Sequence, residues 1–165
     1  MLRQALAGLP TRPAVYLSAT VLVLGLAYHF ATTYQSCHSH AALRAALSAA
    51  IASSAAQKTP LRLAQITGFP WDKAEILVNY KPAGASTDCP FEWDWSRETR
   101  ERLIAKDLLT VIVFLRDGKL VNYVETRSDR LRFDLIENSY TPATAVFRAA
   151  RSRSDPEQYL VTPGP

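Results

Sequence analysis

The sequence predicts an α+β protein: an N-terminal transmembrane helix, an Ala-rich connector helix, then a small antiparallel sheet with two helices. Three observations predict it. An uncharged, mostly apolar run fills residues 14–34. An Ala-rich stretch, AALRAALSAAIASSAA, fills residues 41–56. Beyond it, two β-rich runs flank Asp117-Gly118, a tight-hairpin signal.

The run from Ala14 to Ala31 would rise about 27 Å as a helix, against a bilayer core ~30 Å thick. Tyr16 stands near one end, and Tyr28, Phe30 and Tyr34 near the other, as interfacial rings do. Arg3 and Arg12 precede the run and the next cation is Arg44, so the positive-inside bias puts the N-terminus in the cytoplasm. The expected division is a cytoplasmic N-terminus (1–13), a transmembrane helix (14–34), a helical connector (35–58) and an extracytoplasmic domain (59–165). That describes a single-pass inner-membrane protein with a periplasmic domain. A cleaved signal peptide and a lipoprotein processed at Cys37 are the competing readings, weakened by the length of the run and by Tyr34 three residues before the cysteine.

The 165 residues suit one modest domain plus an extension. A net charge of +4, from 19 basic and 15 acidic residues, is too slight to point to nucleic acid as a partner. In the connector Leu43, Leu47 and Ile51 recur every four residues, one narrow apolar stripe on a strong helix former. Such a helix packs on the domain, packs on a partner helix, or continues the first helix as a stalk.

In the domain, Thr59-Pro60 opens a short helix and DKAEILVNY (72–80) forms a strand, followed by a loop at 81–90. SRETRERLIAK (96–106) is a helix capped by Ser96, with Glu98 and Arg102 spaced as an ion pair. The hairpin follows, its first strand apolar almost throughout. Thr141-Pro142 opens a second helix over 143–151, and QYLVT (158–162) closes the order as β-α-β-β-α-β, the ferredoxin-like arrangement.

His29, His38 and His40 all precede residue 59, so the domain lacks an imidazole base. Cys37, His38 and His40 supply at most three metal ligands, two of which diverge on a helix, so neither metal nor cofactor is expected. Cys37 and Cys89 are compatible with an intrachain disulfide, with two free thiols, or with a bridge between two chains of a homo-oligomer. Phe91, Trp93 and Trp95 alternate with Glu92 and Asp94; if extended, the rings share one face as a shelf for a partner protein or a glycan. Asp72, Glu75, Glu92 and Asp94 are the acids available to a glycan-cleaving enzyme. Arg127, Arg130, Arg132, Arg148, Arg151 and Arg153 form a basic surface, partly offset by Asp129, Asp134 and Glu137, suited to anionic headgroups or an acidic partner.

The stretches FPWDKAEILVNY and LLTVIVFLRDGKLVNYVE resemble small uncharacterised membrane-anchored envelope proteins of proteobacteria, which pair a Trp-Asp-led strand with an apolar hairpin. The resemblance implies an envelope location and no catalytic residue. The architecture also resembles bitopic assembly subunits with a ferredoxin-like domain. The expected function is a non-enzymatic binding or scaffolding module meeting another envelope protein. The alternatives are a periplasmic inhibitor or immunity-type protein and a glycan-binding or glycan-cleaving domain.

Overall fold

The computed structural model of the chain describes residues 12–82, 89–134 and 138–164. Expectations for the N-terminus with Arg3, for most of the 81–90 loop and for Glu137 lie outside the described residues. The chain divides into two units, residues 1–36 and 37–165. One helix, α1 (Arg12–Gln57), runs through both.

The transmembrane expectation is corrected. Among the described residues no helix is long and apolar enough to cross a membrane. In the described part of the first unit the longest run without a polar side chain is Val21–Ala27, with Gly25 inside it. Seven residues rise only about 10 Å. Tyr28, His29 and the polar sequence from Thr32 to Ser36 then share the same helix. The single-pass inner-membrane topology, with its cytoplasmic and periplasmic sides, is therefore not supported. Val21, Leu22, Val23, Leu24 and Leu26 are exposed.

In the second unit the stripe of α1 is buried: Leu43, Leu47 and Ile51 join the main core. The helix stops at Lys58, which takes a left-handed φ of 56°. Ser54 holds the stop, its hydroxyl donating to the Thr59 carbonyl at 2.6 Å.

The remaining elements are β1 (Leu61–Arg62), α2 (Leu63–Ile66), β2 (Lys73–Leu77), a 3₁₀ turn (Pro90–Glu92), α3 (Arg97–Ala105), β3 (Leu109–Arg116), β4 (Lys119–Arg127), β5 (Leu131–Phe133), β6 (Ser139–Tyr140), β7 (Val146–Arg151) and β8 (Tyr159–Pro163). They form two four-stranded sheets, β1-β7-β8-β5 and β4-β3-β2-β6, rather than the single ferredoxin-like sheet. The first is mixed, because β5 runs parallel to β8. The second is antiparallel throughout.

The expected second helix is the main error of topology. Thr141-Pro142 opens a single turn, with the Ala145 N–H donating to the Thr141 carbonyl at 2.8 Å. The chain then extends as β7, pairing Phe147–Arg151 with β8. Ala149 and Ala150 favour helix locally, but Val146 and Phe147 bury into the core as strand residues. Thr59-Pro60 likewise leads into β1 before the short α2.

The hairpin turns at Asp117 (φ 52°) and Gly118 (φ 71°), two successive left-handed residues. β3 is apolar almost throughout because both faces of its central part are covered. Ile112 and Phe114 enter the main core, while Leu109 and Val111 meet Leu103 of α3 in a second cluster. In α3 the Ser96 side chain accepts from the Thr99 N–H at 3.2 Å. Arg102 donates to the Thr99 hydroxyl at 3.3 Å instead of pairing with Glu98.

The main core takes side chains from both sheets and from α1, and Phe114 sits in it with Phe69 and Trp71 edge-on at 5.3 and 5.4 Å. Phe114→Ala is expected to cost about 3–5 kcal/mol, read from urea unfolding.

Candidate functional site

The segment from Cys89 to Ser96 contains the 3₁₀ turn, leads into α3 and is tied down at both ends. At its start, Cys89 is disulfide-bonded to Cys37 of α1 across a sequence separation of 52. At its end, Asp94 lies between two guanidinium groups. Arg44 of α1 grips it with both terminal nitrogens, one at 3.0 Å, and Arg100 of α3 reaches it at 3.3 Å. The Asp94 carboxylate is fully covered and Arg100 is 2% exposed.

The network extends to β4. Arg100 Nε donates to Glu125 at 2.6 Å, and Arg44 Nε donates to the Glu125 backbone carbonyl at 2.8 Å. Arg100 also donates to the Trp95 carbonyl. Two guanidiniums thus meet two carboxylates, each Arg using its planar fork on more than one acceptor. The Arg44 guanidinium stacks over the Trp95 ring at 3.8 Å. Every side-chain bond in this set joins segments distant in sequence or fixes the start of α3, so the loop is held by its surroundings.

Between these anchors the backbone is strained. Phe91 (φ 55°) and Glu92 (φ 57°) are successive non-glycine residues in the left-handed region. Each costs roughly 1–2 kcal/mol relative to a relaxed backbone. Such residues persist only where the surrounding structure over-determines them. Here the bridge and the Asp94 clamp do so.

The three rings do not form one extended shelf. Phe91 is 74% exposed and leans on half-buried Trp93, with ring centroids 5.3 Å apart. Trp95 turns inward, under Arg44 and against the second hydrophobic cluster. The 3₁₀ turn breaks the two-residue alternation on which the shelf expectation relied.

The acids are similarly dispersed. Asp72 accepts the Asp117 N–H at 2.7 Å, Glu75 pairs with Lys73 at 2.6 Å, Asp94 is locked between arginines, and Glu92 is exposed. Cys37 is oxidised and so offers no thiolate beside His38 and His40. Among the described residues no group of three or more His, Cys, Asp or Glu side chains could hold a metal ion.

The six arginines do not act as one basic field. Arg127 pairs with Asp129 at 2.7 Å, holding that carboxyl below its usual range, and Arg130 pairs with Glu157. Arg151 stacks on Tyr159 at 4.9 Å, while Arg132, Arg148 and Arg153 are exposed.

Sequence reasoning missed Arg44, Arg100, Glu125 and His40 as parts of this site. One signal was present: Arg44 is the single charge on the Ala-rich stretch. His40 lies half-buried against Tyr123, ring centroids 4.1 Å apart. Burial lowers its pKa; Asp94 opposes that shift, and Arg100 and Arg44 add to it.

Two outcomes follow. Asp94→Ala leaves Arg44 and Arg100 sharing Glu125 as their one remaining carboxylate, an expected loss of about 3–5 kcal/mol in urea unfolding. His40 in the unfolded chain titrates near its ordinary value of 6.5, and in the folded chain lower. The unfolded state therefore takes up the proton first. Stability should be unaffected by His40 above that pH and should fall as pH drops through it, levelling off below the folded value. Unfolding midpoints from pH 8 to 5 should show this slope in the native chain and a flatter one in His40→Gln. No protein-family model, curated protein or solved structure matches the chain.

Proposed function

We propose that the chain is a non-enzymatic binding or scaffolding module that captures a partner protein on its aromatic loop. One observation carries this reading: Phe91 is 74% exposed on a left-handed backbone, beside Trp93, in a loop clamped by a disulfide and a buried ion network. A large apolar ring held mostly exposed on a strained backbone is poorly explained by core packing. Aromatic anchors dominate the energetics of protein interfaces. A loop already fixed in one conformation loses less entropy on docking.

The chemistry of the acids favours binding over glycan cleavage. Hydrolysis needs two carboxylates facing one cleft, and Asp94, the acid nearest the rings, is occupied by Arg44 and Arg100. An inhibitor or immunity-type role is the narrower case in which the captured partner is an enzyme. The Cys37–Cys89 bridge implies that the chain and its partner meet where disulfides persist, outside reducing conditions.

The test is capture from the organism's own extract on immobilised full-length chain. Phe91→Ala/Trp93→Ala is expected to lose the partner at least ~10-fold while the chain stays folded, its unfolding free energy falling by no more than ~2 kcal/mol. Trp95→Ala should instead lower stability, because it removes packing and the stack under Arg44. Undiminished capture by the double variant would refute the loop as the binding surface.

Reduction offers a second test. The chain-entropy model gives the bridge about 4 kcal/mol for a loop of this length. Dithiothreitol should therefore lower the unfolding midpoint and weaken capture together.

A further inference from the structure

A groove of about 1030 Å³ opens between the end of α1 and the edge of β7, remote in sequence from the aromatic loop. Its origin is a mismatch in strand length. β1 pairs with β7 only through Leu61–Phe147 and Arg62–Val146. On its other side β7 is paired with β8 through Arg151. Continuing β1 backwards would bring residues 58–60 alongside Arg148 to Ala150. Instead the chain leaves at Pro60 and turns into α1 through the left-handed Lys58.

The direction of the exposed backbone groups follows from two bonds. The Gly164 N–H donates to the Val146 carbonyl, and the Ser152 N–H donates to the Gln158 carbonyl. Even-numbered residues of β7 therefore present their backbone groups towards β8, and odd-numbered ones away from it. Phe147 meets Leu61. Ala149 and Arg151 face the groove, and among the described residues no strand pairs with them on that side.

The walls suit an added chain. Ala52, Ala55 and Ala56 line the α1 side, where larger residues would fill the space a strand needs. Lys58, Arg148 and Arg151 line the groove, and no Asp or Glu does. A strand added to an exposed sheet edge takes affinity from main-chain bonds and selectivity from side chains.

We infer that the open edge of β7 is a strand-addition site for an extended acidic peptide segment of a partner protein. The acidic character follows from these cations: among the described residues none of the three forms an ion pair, although Arg151 stacks on Tyr159 and donates to the Pro156 carbonyl. A second copy of this chain fits less well, because antiparallel β7–β7 pairing centred on Ala149 would set Arg148 of one copy diagonally beside Arg148 of the other. The four residues from Arg148 to Arg151 span about 13 Å, so the slot holds roughly four residues of the added strand. This site stands apart from the aromatic loop and does not depend on it.

The probes are two eight-residue peptides, one alternating Glu and Val, the other Lys and Val, titrated into the full chain by fluorescence anisotropy. The Glu-Val peptide is expected to bind, to weaken with salt, and to slow hydrogen exchange at the Ala149 and Arg151 amides. The Lys-Val peptide is expected to bind at least ~10-fold more weakly. Arg148→Glu, at an exposed position, should reduce Glu-Val binding by a similar factor. Ala56→Trp, also exposed, should block the groove from the helix side. Phe91→Ala/Trp93→Ala should bind the peptide as the native chain does, which separates this site from the aromatic loop. Equal binding of both peptides, or binding indifferent to Arg148→Glu and Ala56→Trp, overturns the proposal. So does binding without protection of the two amides. Binding of dodecyl phosphate but of neither peptide would make the groove an amphiphile site, and a dimer in sedimentation that Ala56→Trp disrupts would assign it to a second copy; either result also overturns it.

Discussion

The structure of the second unit depends on one buried carboxylate. Asp94 sits between Arg44 and Arg100, and through them it joins α1, the aromatic loop, α3 and β4. A lone charge at that depth would be very costly. Two guanidiniums satisfy it, and Glu125 in turn satisfies Arg100. The set is tolerable only when complete, which makes it a specificity device for the loop more than a source of net stability. Its position matters more than its strength, because it fixes a short aromatic loop as a mount for Phe91 and Trp93.

The same mount explains why the disulfide lies where it does. Cys89 precedes the strained residues and Asp94 follows them, so covalent and electrostatic restraints bracket the two left-handed positions. Both restraints lead back to α1, through Cys37 and Arg44, which lie seven positions and about two helical turns apart. The next stretch of that helix, through Leu43, Leu47 and Ile51, is buried in the core. One helix thus serves as core element and as anchor of the loop, and its last turns wall the groove beside β7.

The two surfaces differ in chemistry. The loop offers aromatic rings on a fixed backbone, suited to filling a pocket on a partner. The β7 edge offers backbone donors and acceptors with cations around them, suited to an extended acidic chain.

Much of this chain was legible locally. The helicity expected over 14–34 and 35–58, the Asp117-Gly118 hairpin and the Ser96 cap follow from propensity, turn chemistry and period, all of which act within a few residues. The basic and acidic residues of the central network were visible as types, but their meeting was not, since Arg44 and Asp94 are 50 positions apart. Nor did local signals reveal that Ala149 and Ala150 belong to a strand, because only the presence of β8 beside them outweighs their helical preference. The left-handed turn at Phe91 and Glu92 contradicts their local preference outright, and only long-range restraints hold it. Local sequence therefore determined which segments are helix, turn or strand wherever neighbouring residues agree. Tertiary structure alone decided the two-sheet pairing, the buried ion network and the display of Phe91, because each is stabilised by groups that come together only once the chain has folded.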